Sequence, residues 1–286
     1  MRVRSATAAA PGRPANEDAV FVAGDLVGVL DGVTAPQGLD NGCSHTVAWY
    51  VQRLVARLTE VHHAAPAQEL TNTLAHAIEL VRGDHGPDCD LSQPATHAAT
   101  LVLLRQRDHV LDYLVLCDAT LVLDRRTGIE VITDPRFVAA VADIRARALA
   151  EAPPIGGPGH AEFMRQVAVE RSKLTNREGG YWIAAADPTA AEHAITGTAP
   201  LDGPDAVVRA ALLTDGAADL VDRFGRLDWP GLLDLACDQG PDEVIAAVRA
   251  AELQDPDGRD KPRYKRHDDA TIAICTFEGS SRAATP

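Results

Sequence analysis

The chain has no unbroken apolar run near the ~20 residues needed to cross a bilayer. Nothing ahead of Arg13 resembles the roughly 7 to 15 apolar residues of a secretory signal. A cytoplasmic, soluble protein is therefore expected. Cysteine is sparse. The five present (Cys43, Cys89, Cys117, Cys237 and Cys275) are widely scattered, odd in number and form no CxxC pair. That scatter argues against both a disulfide framework and a zinc site. Cys117 and Cys275, each inside an apolar run, read as core. Positive charge is also short, 27 Lys and Arg against 41 Asp and Glu, for a formal net charge of −14. The resulting field repels nucleic acid and anionic membranes, so neither is expected as a partner. Bound cations would neutralise part of the excess. No internal repeat occurs, and no stretch rich in Pro, Gly or Ser divides the chain. Residues 1–278 are expected to form one domain, with 279–286 a disordered tail by composition, and a monomer is expected.

What is present is a globular composition, 46% hydrophobic and 24% charged over 286 residues, long enough to bury a sizeable core. Periodicity predicts strands over about 19–30, interrupted near Gly24. Two helices follow, one with Val47, Val51, Leu54 and Leu58 on a face and one with Leu70, Leu74, Ile78 and Val81. Segments 98–104, 110–117, 121–124 and 129–133 read as a strand meander, which points to antiparallel sheet. Helical patterns return at about 137–150 and 160–172, with strands expected near 181–186 and 207–213. Asp228, with Pro230 two residues on, caps a further helix, and 270–277 forms a final strand. Strands grouped with strands and helices with helices imply an α+β fold, helices packed outside antiparallel sheets. His62 and His63, at a helix end, are expected at the surface.

Carboxylates stand out against this background. Asp-Gly is an ordinary turn signal, but Asp31-Gly32 closes the apolar run 26–30 and Asp215-Gly216 follows the apolar run 210–213. Asp118 directly follows 114–117, Asp268-Asp269 immediately precedes 270–274, and Glu17-Asp18 adjoins 19–23. Ionised carboxylates beside core strands are costly unless paired or metal-bound. Gathered at one edge of the core they would form an all-oxygen site suited to Mg²⁺ or Mn²⁺. Taken singly, each position reads first as a turn or strand-end cap, and periodicity does not show that they meet.

The run Arg13-Pro14-Ala15-Asn16-Glu17-Asp18 before a strand resembles the opening motif of the PP2C-type (PPM) metal-dependent serine/threonine protein phosphatases. Asp31-Gly32, Cys117-Asp118-Ala119, Thr214-Asp215-Gly216 and Asp268 are similar to that family's later motifs, in the same order. The resemblance spans about residues 3–277 and implies an αββα sandwich, two antiparallel sheets packed together with helices on the outer faces. It further implies a bacterial-type signalling phosphatase that hydrolyses phosphoserine and phosphothreonine in proteins with two Mn²⁺ or Mg²⁺ ions and a weaker third. By the same resemblance Asp31 bridges the two ions, Asp215 and Asp268 hold the first, and Glu17 and the Gly32 carbonyl serve the second. Asp18 orients bound water, Asp118 with Asp215 reaches the third ion, and Arg13 grips the substrate phosphate. The chain lacks the Cys-x5-Arg loop of cysteine phosphatases, consistent with a water nucleophile.

Three departures stand out. Val33 replaces a histidine of many eukaryotic members, so no leaving-group acid is identified. Cys117 replaces a glycine, and Asp269 replaces an asparagine, where a further carboxylate either tightens metal binding or is solvated. The segment 157–187 lies where such enzymes carry a mobile flap, and its Trp182 either contacts substrate or belongs to the core. The basic run Lys261 to His267 either guides a phosphorylated partner or is a solvated loop. A haloacid-dehalogenase-type reading of Asp31 fails because Val33 stands where that family needs its second acid. A noncatalytic PP2C-like regulatory or phosphoprotein-binding module is the alternative.

Overall fold

Apolar residues in the central strands alternate between two buried faces, and this alternation sets the architecture. In β3 (Leu26–Gly32), Leu26 and Leu30 face one way while Val27 and Val29 face the other, and all four are fully buried. In β10 (Ala270–Thr276), Ile272 and Ile274 oppose Ala273 and Cys275 in the same manner. A strand with both faces covered loses the polar half of its pattern, which is why these segments read as continuous apolar runs.

The computed structural model describes residues 1–34 and 38–277, so the expected tail at 279–286 lies outside the described residues. Two five-stranded sheets, every pairing antiparallel, stack face to face. The first has the order β1-β10-β9-β6-β7 and is built from β1 (Arg2–Ala8), β10, β9 (Val207–Leu213), β6 (Thr120–Arg125) and β7 (Gly128–Ile132). The second, β2-β3-β4-β5-β8, joins β2 (Asp18–Ala23), β3, β4 (Ala99–Arg107), β5 (Val110–Leu116) and β8 (Ile195–Pro200). Between them Val29, Val102, Val115, Leu121, Leu212 and Ala273 form the inter-sheet core. On the outer face of the second sheet lie α1 (Val47–Ala64) and α2 (Leu70–Asp84), burying Leu54, Leu58, Leu74 and Ile78 against Leu30, Leu101 and Leu103. The first sheet is covered by α6 (Asp215–Asp222), α7 (Trp229–Asp238) and α8 (Pro241–Gln254), through Leu220, Leu232 and Val248. The result is the expected helix–sheet–sheet–helix sandwich, and among the described residues no helix is long and apolar enough to cross a membrane.

The expected meander divides between the sheets. β4 and β5 pair in one and β6 and β7 in the other, because the chain crosses the sandwich at Cys117, whose φ of +65° turns it. That left-handed conformation costs a side-chain-bearing residue roughly 1–2 kcal/mol relative to glycine, and this is the position at which the resembling family carries glycine. The helix expected at 137–150 is two, α3 (Pro135–Ala140) and α4 (Ala142–Glu151), separated at Val141, while α5 (His160–Ser172) matches its pattern. No strand forms at 181–186; Tyr181 and Ala184 make only isolated bridges, to Thr175 and Ala99. Asp228 caps α7 as expected, accepting from the Gly231 N–H at 2.9 Å. His63 is exposed, but His62 is buried and shares a 2.6 Å hydrogen bond between its Nε2 and Asp25 Oδ1, which corrects its assignment to the surface. Fully buried Arg105 faces Asp112 across the β4–β5 ladder and donates to the Pro66 and Gln68 carbonyls, tying the α1–α2 turn to the sheet.

Candidate functional site

The acidic strand ends meet where the two sheets meet. Asp18 opens β2 and pairs in register with Asp31 near the end of β3. From the other sheet, β9 runs through Thr214 into Asp215, the first residue of α6, and Asp268 and Asp269 precede β10. A hydrogen bond closes the junction: the buried Thr214 hydroxyl donates to Asp18 Oδ2 at 2.9 Å and accepts from the Thr271 N–H at 3.0 Å. Sequence proximity thus becomes spatial proximity through the packing of the sheets.

The two Asp-Gly pairs are not turns. Neither glycine has a positive φ; each is required by close approach. A Cβ on Gly32 would lie 2.7 Å from the Glu17 carbonyl oxygen and 2.5 Å from Val47 Cγ1. A Cβ on Gly216 would overlap the Asp269 carbonyl oxygen. These contacts hold the β3 end and the α6 start against the loops that carry Glu17 and Asp268.

Asp269 does neither of the things expected of it. It is buried and accepts the Ala10 N–H at 2.7 Å through Oδ1 and the Glu17 N–H at 2.6 Å through Oδ2. Both oxygens are spent on backbone, which fixes the loop between β1 and β2 that bears Arg13 and Glu17. Glu17 itself accepts from the Thr34 hydroxyl at 2.6 Å. Asp268 is held by Lys265, whose Nζ lies 2.8 and 3.0 Å from its two oxygens and 3.4 Å from Thr34 Oγ1. Arg13 is exposed, and among the described residues its side chain makes no hydrogen bond or ion pair with these groups.

Electrostatics singles out the same cluster. Burial, then the charges of Asp18, Asp215 and Asp268, raise the Asp31 carboxyl well above the usual range. Asp18 is raised by burial against the opposing hydrogen bonds of Thr271 and Thr214. Asp215 is raised by burial and then by Asp268, and Asp118 is pushed up to about 7 by burial and then by Asp215. Burial alone would lower Lys265, but the charges of Asp268, Asp215 and Asp31 outweigh it and hold the ammonium protonated. Asp18 Oδ1 is buried without a hydrogen-bond partner. Acceptors that repel one another and an orphaned carboxylate oxygen fit a hard divalent cation bound through oxygen.

Sequence reading missed Asp219. One turn along α6 from Asp215, it is raised to about 7 by burial, offset by Arg223, whose Nε donates to it at 2.6 Å. Its i, i+4 spacing from Asp215 was the available signal. Lys265 was hidden in the basic run 261–267. That run is internal scaffolding more than a patch: Arg263 binds Asp255, Arg266 binds the Pro256 carbonyl, and His267 binds Glu252. A pocket lined by Thr34, His97, Arg171, Thr175 and Tyr181 brings part of the flap-like segment near Thr34, whose hydroxyl donates to Glu17, while Trp182 stacks on His193 at 3.5 Å. Cys117 and Cys275 are buried as expected, whereas Cys43 and Cys89, read as scattered, lie with their sulfurs 3.1 Å apart.

These raised carboxyls give the metal-free protein a pH dependence of definite sign. A folded pKa above the unfolded value of about 3.9 means the folded state holds its proton longer, so stability is full at low pH and falls as pH rises through the folded pKa. In EDTA, the thermal midpoint of the wild type is expected to fall below that of Asp118→Asn as pH climbs from about 5 to beyond about 7. Equal slopes by scanning calorimetry would contradict it.

No protein-family model matches the sequence, and no curated protein matches it either. Solved structures do. The Mycobacterium tuberculosis serine/threonine phosphatase PstP/Ppp superposes with a TM-score of 0.59 at 16% identity, over 97% of this chain and 98% of that one. Serine/threonine phosphatase Stp1 from Staphylococcus aureus gives 0.60 at 12% identity, over 98% and 96%. The catalytic domain of PstP in complex with two manganese ions gives 0.55 at 16%, over 96% of each chain. The chain therefore has the PP2C-type phosphatase fold, and at these identities the likeness is one of fold.

Proposed function

We propose that the chain is a metal-dependent phosphatase acting on phosphoserine and phosphothreonine in proteins. The observation that carries this reading is the convergence of Asp18, Asp31, Asp215 and Asp268 at one sheet junction, mutually repelling and with Asp18 Oδ1 unpaired. The manganese-bound PstP domain, sharing the fold, supports it. When bound, two Mn²⁺ or Mg²⁺ ions would supply an acidified water and neutralise phosphoryl oxygens.

Asp31, Asp215, Asp268, Glu17 and the Gly32 carbonyl would hold these ions, and Asp118 with Asp215 would offer carboxylates to a weaker third. Asp18, its Oδ2 fixed by Thr214, leaves Oδ1 to orient the attacking water. Arg13, exposed on the loop that Asp269 anchors, offers a planar and permanently charged fork to the substrate phosphate. Lys265, paired with both Asp268 oxygens, would compete with a divalent ion for that carboxylate.

The purified chain should hydrolyse p-nitrophenyl phosphate and a phosphothreonine peptide with Mn²⁺ and stop on addition of EDTA. Turnover without metal, or none under any condition, would overturn the reading. The ion pair of Lys265 with both Asp268 oxygens favours a second reading, a noncatalytic phosphoprotein-binding module in which the ammonium replaces an ion. Lys265→Met separates them: for the enzyme, half-maximal activity moves to lower Mn²⁺, and for the binding module no hydrolysis appears.

A further inference from the structure

Away from the carboxylates, four residues that sequence spacing kept apart converge. Cys43 and His45 lie in the loop leading into α1, while His85 is the first residue beyond α2 and Cys89 follows it. The antiparallel packing of α1 on α2 brings these loops side by side. Cys43 Sγ is 3.2 Å from His45 Nδ1, 3.4 Å from His85 Nδ1 and 3.1 Å from Cys89 Sγ, and Cys89 Sγ is 3.5 Å from His45 Nδ1. All four ligand atoms lie within 4.8 Å of one another.

We propose that Cys43, His45, His85 and Cys89 bind a structural Zn²⁺ ion. A tetrahedral ion with Zn–S of about 2.3 Å and Zn–N of about 2.0–2.1 Å sets its ligand atoms roughly 3.3–3.8 Å apart; the four spacings of 3.1–3.5 Å lie close to that range, and the whole set closes within 4.8 Å. Two soft sulfurs and two imidazole nitrogens select zinc over the hard cations suited to the carboxylate site. The surroundings are built to hold this geometry. His45 stacks on Trp49 at 3.8 Å, and the His85 ring meets Trp49 edge-on at 4.8 Å. The two loops are clamped by the Asp90 N–H donating to the Gly42 carbonyl at 2.6 Å, and a side chain on Gly42, at φ +74°, would strike the Asp90 carbonyl. The spacing argument against zinc considered only ligands paired by CxxC; here each half is C-x-H or H-x3-C, and the packing of α1 on α2 brings the halves together.

The ion would staple residues 42–45, ahead of α1, to the end of α2. Those residues follow Gly32 and Thr34 in the chain, and His97, which lines the pocket, binds the His45 carbonyl at 2.8 Å through Nε2. Zinc here would position the wall of the pocket without touching the carboxylate centre.

The test is the metal content and thiol reactivity of the full chain purified under reducing conditions. Elemental analysis should find stoichiometric zinc that survives Asp215→Asn and Cys237→Ser and is lost in Cys43→Ser and in Cys89→Ser. Cobalt replacement should give the intense visible bands of a tetrahedral thiolate site, and Cys43 and Cys89 should resist alkylation until a strong chelator is added. Absence of zinc from the wild type with both thiols freely alkylated overturns the proposal, independently of how the variants fold. A Cys43–Cys89 disulfide that persists under those conditions, or zinc that leaves with Asp215→Asn, also overturns it.

Discussion

Asp215→Asn is expected to lower Mn²⁺-dependent hydrolysis of p-nitrophenyl phosphate by on the order of a thousandfold, the equivalent of about 4 kcal/mol of lost transition-state stabilisation. The substitution keeps the shape of the side chain and removes its charge. Asp215 stands at the start of α6, is raised by burial and by Asp268, and faces both Asp31 and Asp118. In EDTA the same variant should melt at or above the wild-type temperature near neutral pH, because the cost of ionising a partly buried, repelled carboxyl disappears. Activity down with metal-free stability unchanged or up is the signature of an ion-binding group. A variant that loses both would mark Asp215 as a structural cap of α6 instead.

Asp269→Ala should give the largest loss of stability. It strips acceptors from the Ala10 and Glu17 amides, and an orphaned buried donor costs about 1–3 kcal/mol. Together the loss should reach about 2–5 kcal/mol, a fall in the thermal midpoint of roughly 3–8 °C for a chain of this length. The conservative Asp269→Asn keeps one carbonyl acceptor and sets an amide NH₂ against the second N–H, so an intermediate fall is expected. Because the freed loop bears Arg13 and Glu17, KM for phosphopeptide should rise in both variants. A midpoint unchanged in Asp269→Ala would show that water replaces the carboxylate and that the loop is anchored elsewhere.

Legibility in the sequence followed burial. Strands covered on both faces, such as β3, β4 and β10, announce themselves as apolar runs, and α1 and α2 through their apolar stripes. The edge strands β1 and β8 do not. β1 exposes most of Arg2–Ala8, and β8 alternates in burial but turns only Ile195, Gly197 and Ala199 inward and ends in Pro200, so neither carries a strong apolar signal. Each acid of the candidate centre was visible as an Asp beside a core strand, but their meeting depends on sheet order, a non-local property that periodicity does not carry. Lys265 was invisible for the opposite reason: among Arg263, Arg266 and His267, only the fold reveals which cation turns toward Asp268. The Cys43 cluster needed the α1–α2 packing before its spacing had meaning.

The bond between Thr214 and Asp18 spans 196 positions, and β1 and β10 lie side by side. One half of the acidic cluster is therefore made early and the other half late in synthesis. A growing chain on the ribosome, already holding Asp18 and Asp31, stays without Asp215, Asp268 and its last sheet strand until residues 214–277 emerge. Until then the acidic cluster is incomplete, so translation itself times its assembly.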